Sequence, residues 1–160
     1  MRRRCLALAL TLLVAGCGVR PSGPAGMGEA PTGVASGVTL YFVDARGRLT
    51  PRLHDTGRLG TVAEALELLL GASATVGDGL HSEIEISGAT RVVTTAEPGL
   101  IHLRLPLADY EVTPLGIDQI VCTALGVAVQ RGESRATRVR LLLTRSTPEL
   151  EGDRSCPLIG

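Results

Sequence analysis

Few residues in this sequence of 160 are equipped for acid–base, nucleophilic or metal chemistry, and their spacing argues against an active site. No two of the three histidines, His54, His81 and His102, lie at metal-ligand spacing, nor does any of them with a cysteine. Each reads as a solvated side chain, and no metal ligand is assigned. Glu83 and Glu85 share one face of a short apolar-alternating run, the arrangement a glycosidase-like carboxylate pair would take. Carboxylates at i, i+2 on an exposed strand are more commonly just solubilising. No G-x-S-x-G, H-E-x-x-H or C-x-x-C motif occurs. Every basic residue is arginine, so a Schiff-base lysine, a Ser-Lys dyad and a P-loop lysine are all excluded. Gly71 to Gly79 is glycine-containing but lacks the order of a phosphate loop. No catalytic residue is assigned and no cofactor is expected.

The four cysteines are more informative. Cys17 follows a positive segment (Met1 to Arg4) and a short apolar run, Leu6 to Ala15. That run is about ten residues, where roughly 20 are needed to span a bilayer. Ala15 and Gly16 supply small residues just before the cysteine, and Val14-Ala15-Gly16-Cys17 resembles a lipobox. The expectation is a signal peptide over residues 1–16, cleavage before Cys17, and diacylation of the Cys17 thiol by palmitate-type chains. Two acyl chains suffice for stable anchoring. Cys5 leaves with the signal. Cys122 and Cys156 then remain in an oxidising compartment, which points to a disulfide between them, with two free buried thiols as the alternative.

Loss of Arg2, Arg3 and Arg4 turns the formal charge of zero into 13 basic against 16 acidic residues, about −3. This gives no reason to expect nucleic acid as a partner. The one basic concentration is Arg131, Arg135, Arg138, Arg140 and Arg145, which reads first as a solvated strand face. The sharper reading is contact with anionic lipid headgroups or wall polymers outside the membrane. Lysine and asparagine are both absent, as in GC-rich genomes, which hints at an actinobacterial source.

These residues need elements to position them. Residues 17–36, rich in Gly, Pro, Ala and Ser, read as a tether with an r.m.s. reach of roughly 25 Å. Val38 to Val43 alternates like a strand, and Arg48 to Asp55 fits an edge strand because of Pro51. Thr61 and Glu64 form a capping-box pattern ahead of a helix with Val62, Ala65, Leu66, Leu69 and Leu70 on one face, stopped by Gly71. Ala72 to Leu80 reads as a loop. Glu83 to Ser87, Thr90 to Thr95 and Leu100 to Leu105 read as strands, the last two joined by a Glu97-Pro98-Gly99 turn. Thr113 and Pro114 open a second helix with a stripe of Ile117, Ile120, Val121 and Ala124 and a stop at Gly126. Thr137 to Thr144 closes as a strand. The pattern predicts an α+β domain over residues 37–160: a small mixed or antiparallel sheet with both helices on one face, a two-layer sandwich.

In order and spacing, these segments resemble the GerMN domain of sporulation, germination and other bacterial envelope lipoproteins. The matching pieces are Val38-Thr39-Leu40-Tyr41-Phe42, Val62 to Gly71, Leu80-His81-Ser82-Glu83-Ile84, Leu100 to Leu105, Gln119 to Leu125 and the closing strand. The chain departs from that pattern at Glu85, where a proline is usual, and at Leu103-Arg104-Leu105-Pro106, where Asp-Leu-Ser is usual. The resemblance implies an extracytoplasmic interaction module with no family active site, held at the outer face of the cell membrane. Its partner would be an envelope protein or its own copies. The alternative is a ligand-binding or wall-modifying accessory whose pocket lies near the Ala72 to Leu80 loop.

Overall fold

The computed structural model describes residues 36–72, 74–85, 88–150 and 152–159. The expected signal peptide, Cys17 and nearly all of the tether lie outside the described residues. Among the described residues the core lies in the compact unit Gly33–Gly160, a contiguous hydrophobic cluster of the kind that defines a domain.

β1 (Gly37–Val43) and β2 (Leu49–Asp55) pair antiparallel, Gly37 opposite Asp55 and Val43 opposite Leu49. The turn between them is fastened by Asp44, whose carboxylate accepts from the backbone N–H of Arg46 at 2.8 Å and of Arg48 at 2.9 Å. These bonds and the Arg48 guanidinium hold the Asp44 carboxyl down at about 2. Pro51 sits opposite Tyr41. Lacking an N–H, it can occupy only a non-hydrogen-bonded pair of the ladder, so its missing donor falls on the free edge of β2. That gap blunts the edge against further strand pairing.

The capping box forms as the sequence predicts. Helix α1 (Val62–Leu70) starts with the Thr61 hydroxyl accepting from Glu64 N–H at 3.2 Å and Glu64 accepting from Thr61 N–H at 2.7 Å. Arg58 adds an ion pair to the same carboxylate at 2.6 Å. Ala65, Leu66, Leu69 and Leu70 are the buried face.

The segment after α1 differs from expectation. Two short strands form within the region read as a loop, β3 (Thr75–Gly77) and β4 (Leu80–His81), around a turn with left-handed Asp78 and Gly79. Of the strand expected at Glu83 to Ser87, the described residues 83–85 hold one bridge, Ile84 to Val112, and Ile86 and Ser87 lie outside the described residues. The first sheet therefore has the order β2-β1-β4-β3 and is antiparallel throughout.

A second sheet holds β5 (Val93–Glu97), β6 (Leu100–Arg104), β7 (Arg138–Leu142) and β8 (Asp153–Arg154), in that order. β5 and β6 make the expected hairpin, with Gly99 at φ 77 as the turn demands. β6 and β7 run parallel, joined through helix α2 (Pro114–Gln130). Inward-facing Ile101, Leu103, Val139 and Leu141 are all buried. The α+β class holds, but the single sheet anticipated from the strand pattern is two sheets of four strands.

α2 is the second departure. It runs past Gly126 to Gln130, and nearly every residue from Gly116 to Ala128 is buried, so it is a core helix and not a one-striped one. It packs against β1, β2, β7 and α1. Gly126 is a point of close approach: a Cβ there would stand 3.3 Å from the Tyr41 ring and 3.9 Å from Ile159.

Glu64 generates a pH prediction. The Arg58 guanidinium, followed by the Thr61 N–H, holds its carboxyl at about 2, below the ordinary 4.5. A depressed folded-state pKa contributes stability above 4.5 that is lost as pH falls towards 2. Gln at this position keeps the capping hydrogen bonds and removes the charge. Glu64→Gln should therefore be less stable than wild type in urea titrations at pH 6. The difference should shrink with added salt and vanish near pH 2.

Candidate functional site

The densest polar constellation lies where β4 hands over to α2. Glu83 is its centre. His81 Nε2 lies 3.0 Å from Glu83 Oε1, and because an ionised carboxylate only accepts, the imidazole proton sits on that nitrogen. The Thr113 hydroxyl donates to Glu83 Oε2 at 3.1 Å and accepts from Gly116 N–H at 3.1 Å, capping α2. Glu83 N–H donates to Gln119 Oε1 at 2.8 Å. Gln119 Nε2 in turn donates to Tyr41 C=O at 3.0 Å, and Tyr41 N–H donates to Thr123 Oγ1 at 3.1 Å. A Cβ on Gly116 would meet Glu83 C=O at 2.4 Å, so the contact requires glycine.

Hydroxyl and imidazole both donate to the same carboxylate here, and neither bonds the other. A nucleophile needs its hydroxyl on the imidazole and the carboxylate behind it, so this arrangement fastens α2 and does not activate Thr113. Gln119 and Thr123 were missed in the sequence. Their signal was a polar i, i+4 pair within the apolar run of the helix.

The histidines are placed differently from expectation. His54 is exposed on β2, as read. His81 is engaged with Glu83. The His102 side chain is only 20% exposed; its Nε2 is buried without a hydrogen bond, 3.5 Å from Glu97 Oε1. Its register partners across the sheet are Thr95 and Arg140, which alternation along one strand cannot reveal. Glu83 and Glu85 do not form a carboxylate pair on a strand: Glu83 is committed to α2, while Glu85 is exposed and donates its N–H to Glu111 C=O at 2.8 Å. Among the described residues no group of three His, Cys, Asp or Glu could hold a metal, and no helix is long and apolar enough to cross a membrane.

The five arginines do not form one patch. Arg131 closes α2 and reaches Gly60 C=O at 3.4 Å, and Arg135 stands exposed in the following turn. Arg138 and Arg140 share the outer face of β7, where Arg140 pairs with Asp153 at 2.7 Å. Arg145 lies beyond the strand, bridged to Ala108. Arg104, absent from the sequence-based set, joins the outer face from β6 beside Leu142.

A cleft of about 450 Å³ opens beside the segment after α1, with Leu40, Phe42, Leu68, Ala72 and Val76 as apolar lining. His54 and Arg52 stand on the β2 side, and Arg52 is ion-paired with Asp78. Its volume falls within the usual range for a small-molecule site, but no set of polar groups converges in it.

Cys122 and Cys156 are joined in a disulfide, Cα to Cα 4.8 Å, both sulfurs buried. Ile159 packs one helical turn further along α2 at Gly126. The tail is more structured than turn-rich composition implied, since Asp153 and Arg154 form β8 against β7.

No protein-family model matches the chain, and no curated protein matches its sequence. Among solved structures it is similar to the tandem GerMN domains of the sporulation protein GerM from Bacillus subtilis. The TM-score is 0.50 at 12% identity, over 82% of this chain. The chain spans 48% of the length of that structure. At this identity the likeness is one of fold: a GerMN-like α+β architecture.

The disulfide encloses a separation of 34 residues, and closing such a loop stabilises by about 3–4 kcal/mol through lost unfolded-state entropy. Cys122→Ala/Cys156→Ala should lose about that much in denaturant unfolding. Hydrogen exchange in the variant should rise first in residues 153–159. Unchanged stability would mean the cross-link constrains nothing.

Proposed function

We propose that this chain is a lipid-anchored, extracytoplasmic protein whose GerMN-like domain is a non-enzymatic assembly module. The observation that carries the reading is the GerMN-like fold, joined in one chain to a lipobox-like Val14-Ala15-Gly16-Cys17 after a charged and apolar start. The solved GerMN domains belong to a sporulation protein, which makes an envelope assembly the kind of partner to seek. A buried disulfide fits an oxidising compartment. The polar network supports the reading in its own way, because its hydrogen-bonding capacity is spent on holding α2.

In this reading Cys17 is diacylated, residues 18–36 form the tether, and the domain meets an envelope protein or a second copy. The cleft of about 450 Å³ favours one alternative, an accessory that binds a small apolar ligand beside Ala72 and Val76.

Two measurements test the proposal. Cells fed radiolabelled palmitate should label the wild-type chain but not Cys17→Ser, which should be left uncut or shed from the membrane. Label persisting on the serine variant removes Cys17 from the account. Crosslinking in intact membranes should then trap a discrete envelope protein or dimer, and recovery of monomer alone would contradict an assembly role.

A further inference from the structure

The outer face of the second sheet is the part of the fold over which no described layer packs. Register places three rows of side chains on it: Glu97, Leu100 and Arg138; Thr95, His102, Arg140 and Asp153; and Val93, Arg104 and Leu142. Arg140 is neutralised by Asp153. Among the described residues, Arg104 and Arg138 have no carboxylate at ion-pair distance. Two exposed apolar side chains flank them, Val93 at 52% and Leu142 at 42%.

We propose that this face docks against an anionic bilayer. The inference rests on the lipid-anchor reading for its biological setting, and three observations select the bilayer as occupant. The first is composition: exposed arginines beside exposed aliphatic side chains match a surface of anionic headgroups over hydrocarbon. The second is contrast. Residues 36–85 hold four arginines against seven Asp and Glu, so an anionic membrane repels that half and turns the arginine-bearing sheet towards itself. The third is composition again: the Gly-, Pro- and Ala-rich sequence of residues 18–36, read as a flexible coil in the lipid-anchor proposal, would reach roughly 25 Å, enough for a face of a small domain to touch the surface.

The magnitude decides what such a face does. Arg104 and Arg138, offset by Glu97 in the same row, leave a net charge of about +1 facing an anionic surface and bias the docked state on the order of fivefold. Alone, that is a weak hold on a freely diffusing domain. On a tether the membrane is already at high local concentration, so the same bias sets orientation.

The test uses residues 33–160 without a lipid anchor, so it is independent of whether Cys17 is acylated. Flotation with vesicles of phosphatidylglycerol and phosphatidylcholine at low salt should show binding that vanishes on pure phosphatidylcholine and at 0.5 M salt. Arg104→Gln/Arg138→Gln should lower partitioning by roughly fivefold or more with an unchanged circular dichroism spectrum, whereas Arg46→Gln should not. Hydrogen exchange on vesicles should protect residues 100–104 and 138–142. Equal binding to neutral vesicles, indifference to the double variant, or retention on soluble polyphosphate without vesicle binding would overturn the proposal. If palmitate labelling fails while vesicle binding survives, the anchor reading falls and the docking surface stands.

Discussion

A strand inside a sheet has backbone donors and acceptors on two edges, and burying either edge unpaired costs about 1–3 kcal/mol per group. β1 is buried along almost its whole length, yet its second edge meets β4 only at Val43. Because Pro51 forces Tyr41 into a non-hydrogen-bonded pair with β2, the N–H and C=O of Tyr41 point to that second edge. There Thr123 accepts from one and Gln119 donates to the other. Two helix side chains stand in for a missing strand.

Much of the architecture follows from that substitution. α2 lies close along β1, and the strands divide into two sheets. Closeness also explains Gly126, where the Tyr41 ring occupies the space a side chain would fill, and Gly116, where Glu83 does the same. The other end of the Gln119 amide binds Glu83, which in turn engages Thr113 and His81, so the start of α2, β4 and β1 share one polar bridge. On its remaining flank α2 takes the tail, through Cys156 at Cys122 and Ile159 at Gly126. With the helix enclosed in this way, its buried polar side chains Gln119 and Thr123 are spent on structure.

Features governed by neighbours in sequence were legible, and those governed by neighbours in space were not. Thr61 with Glu64 announces a helix start because both halves of the capping box lie within one turn. Glu97-Pro98-Gly99 announces a hairpin for a similar reason. Pro51 excludes a central strand from its own chemistry. By contrast, Gly126 looks like a stop signal unless the Tyr41 ring is known to press on it. The alternation at Glu83 to Ser87 suggested a strand, but Glu83 is drawn to α2 instead. The arginines between 131 and 145 were close in sequence and scattered in space, while Arg104 reached Arg138 and Arg140 only through the parallel pairing of β6 with β7. The cysteine pair was legible because compartment logic left two thiols and no other partner.

The central claim is that Gln119 carries a backbone-satisfying role and is not an incidental polar residue in a core helix. Denaturant unfolding of Gln119→Leu in residues 33–160 tests this directly. Leucine fills similar volume and extends the apolar surface of α2, so a helix stabilised only by packing would be unharmed or strengthened. The account predicts instead a loss of about 1–4 kcal/mol, because Tyr41 C=O would be buried and Glu83 N–H part-buried without partners. A variant as stable as wild type, or more stable, would contradict it.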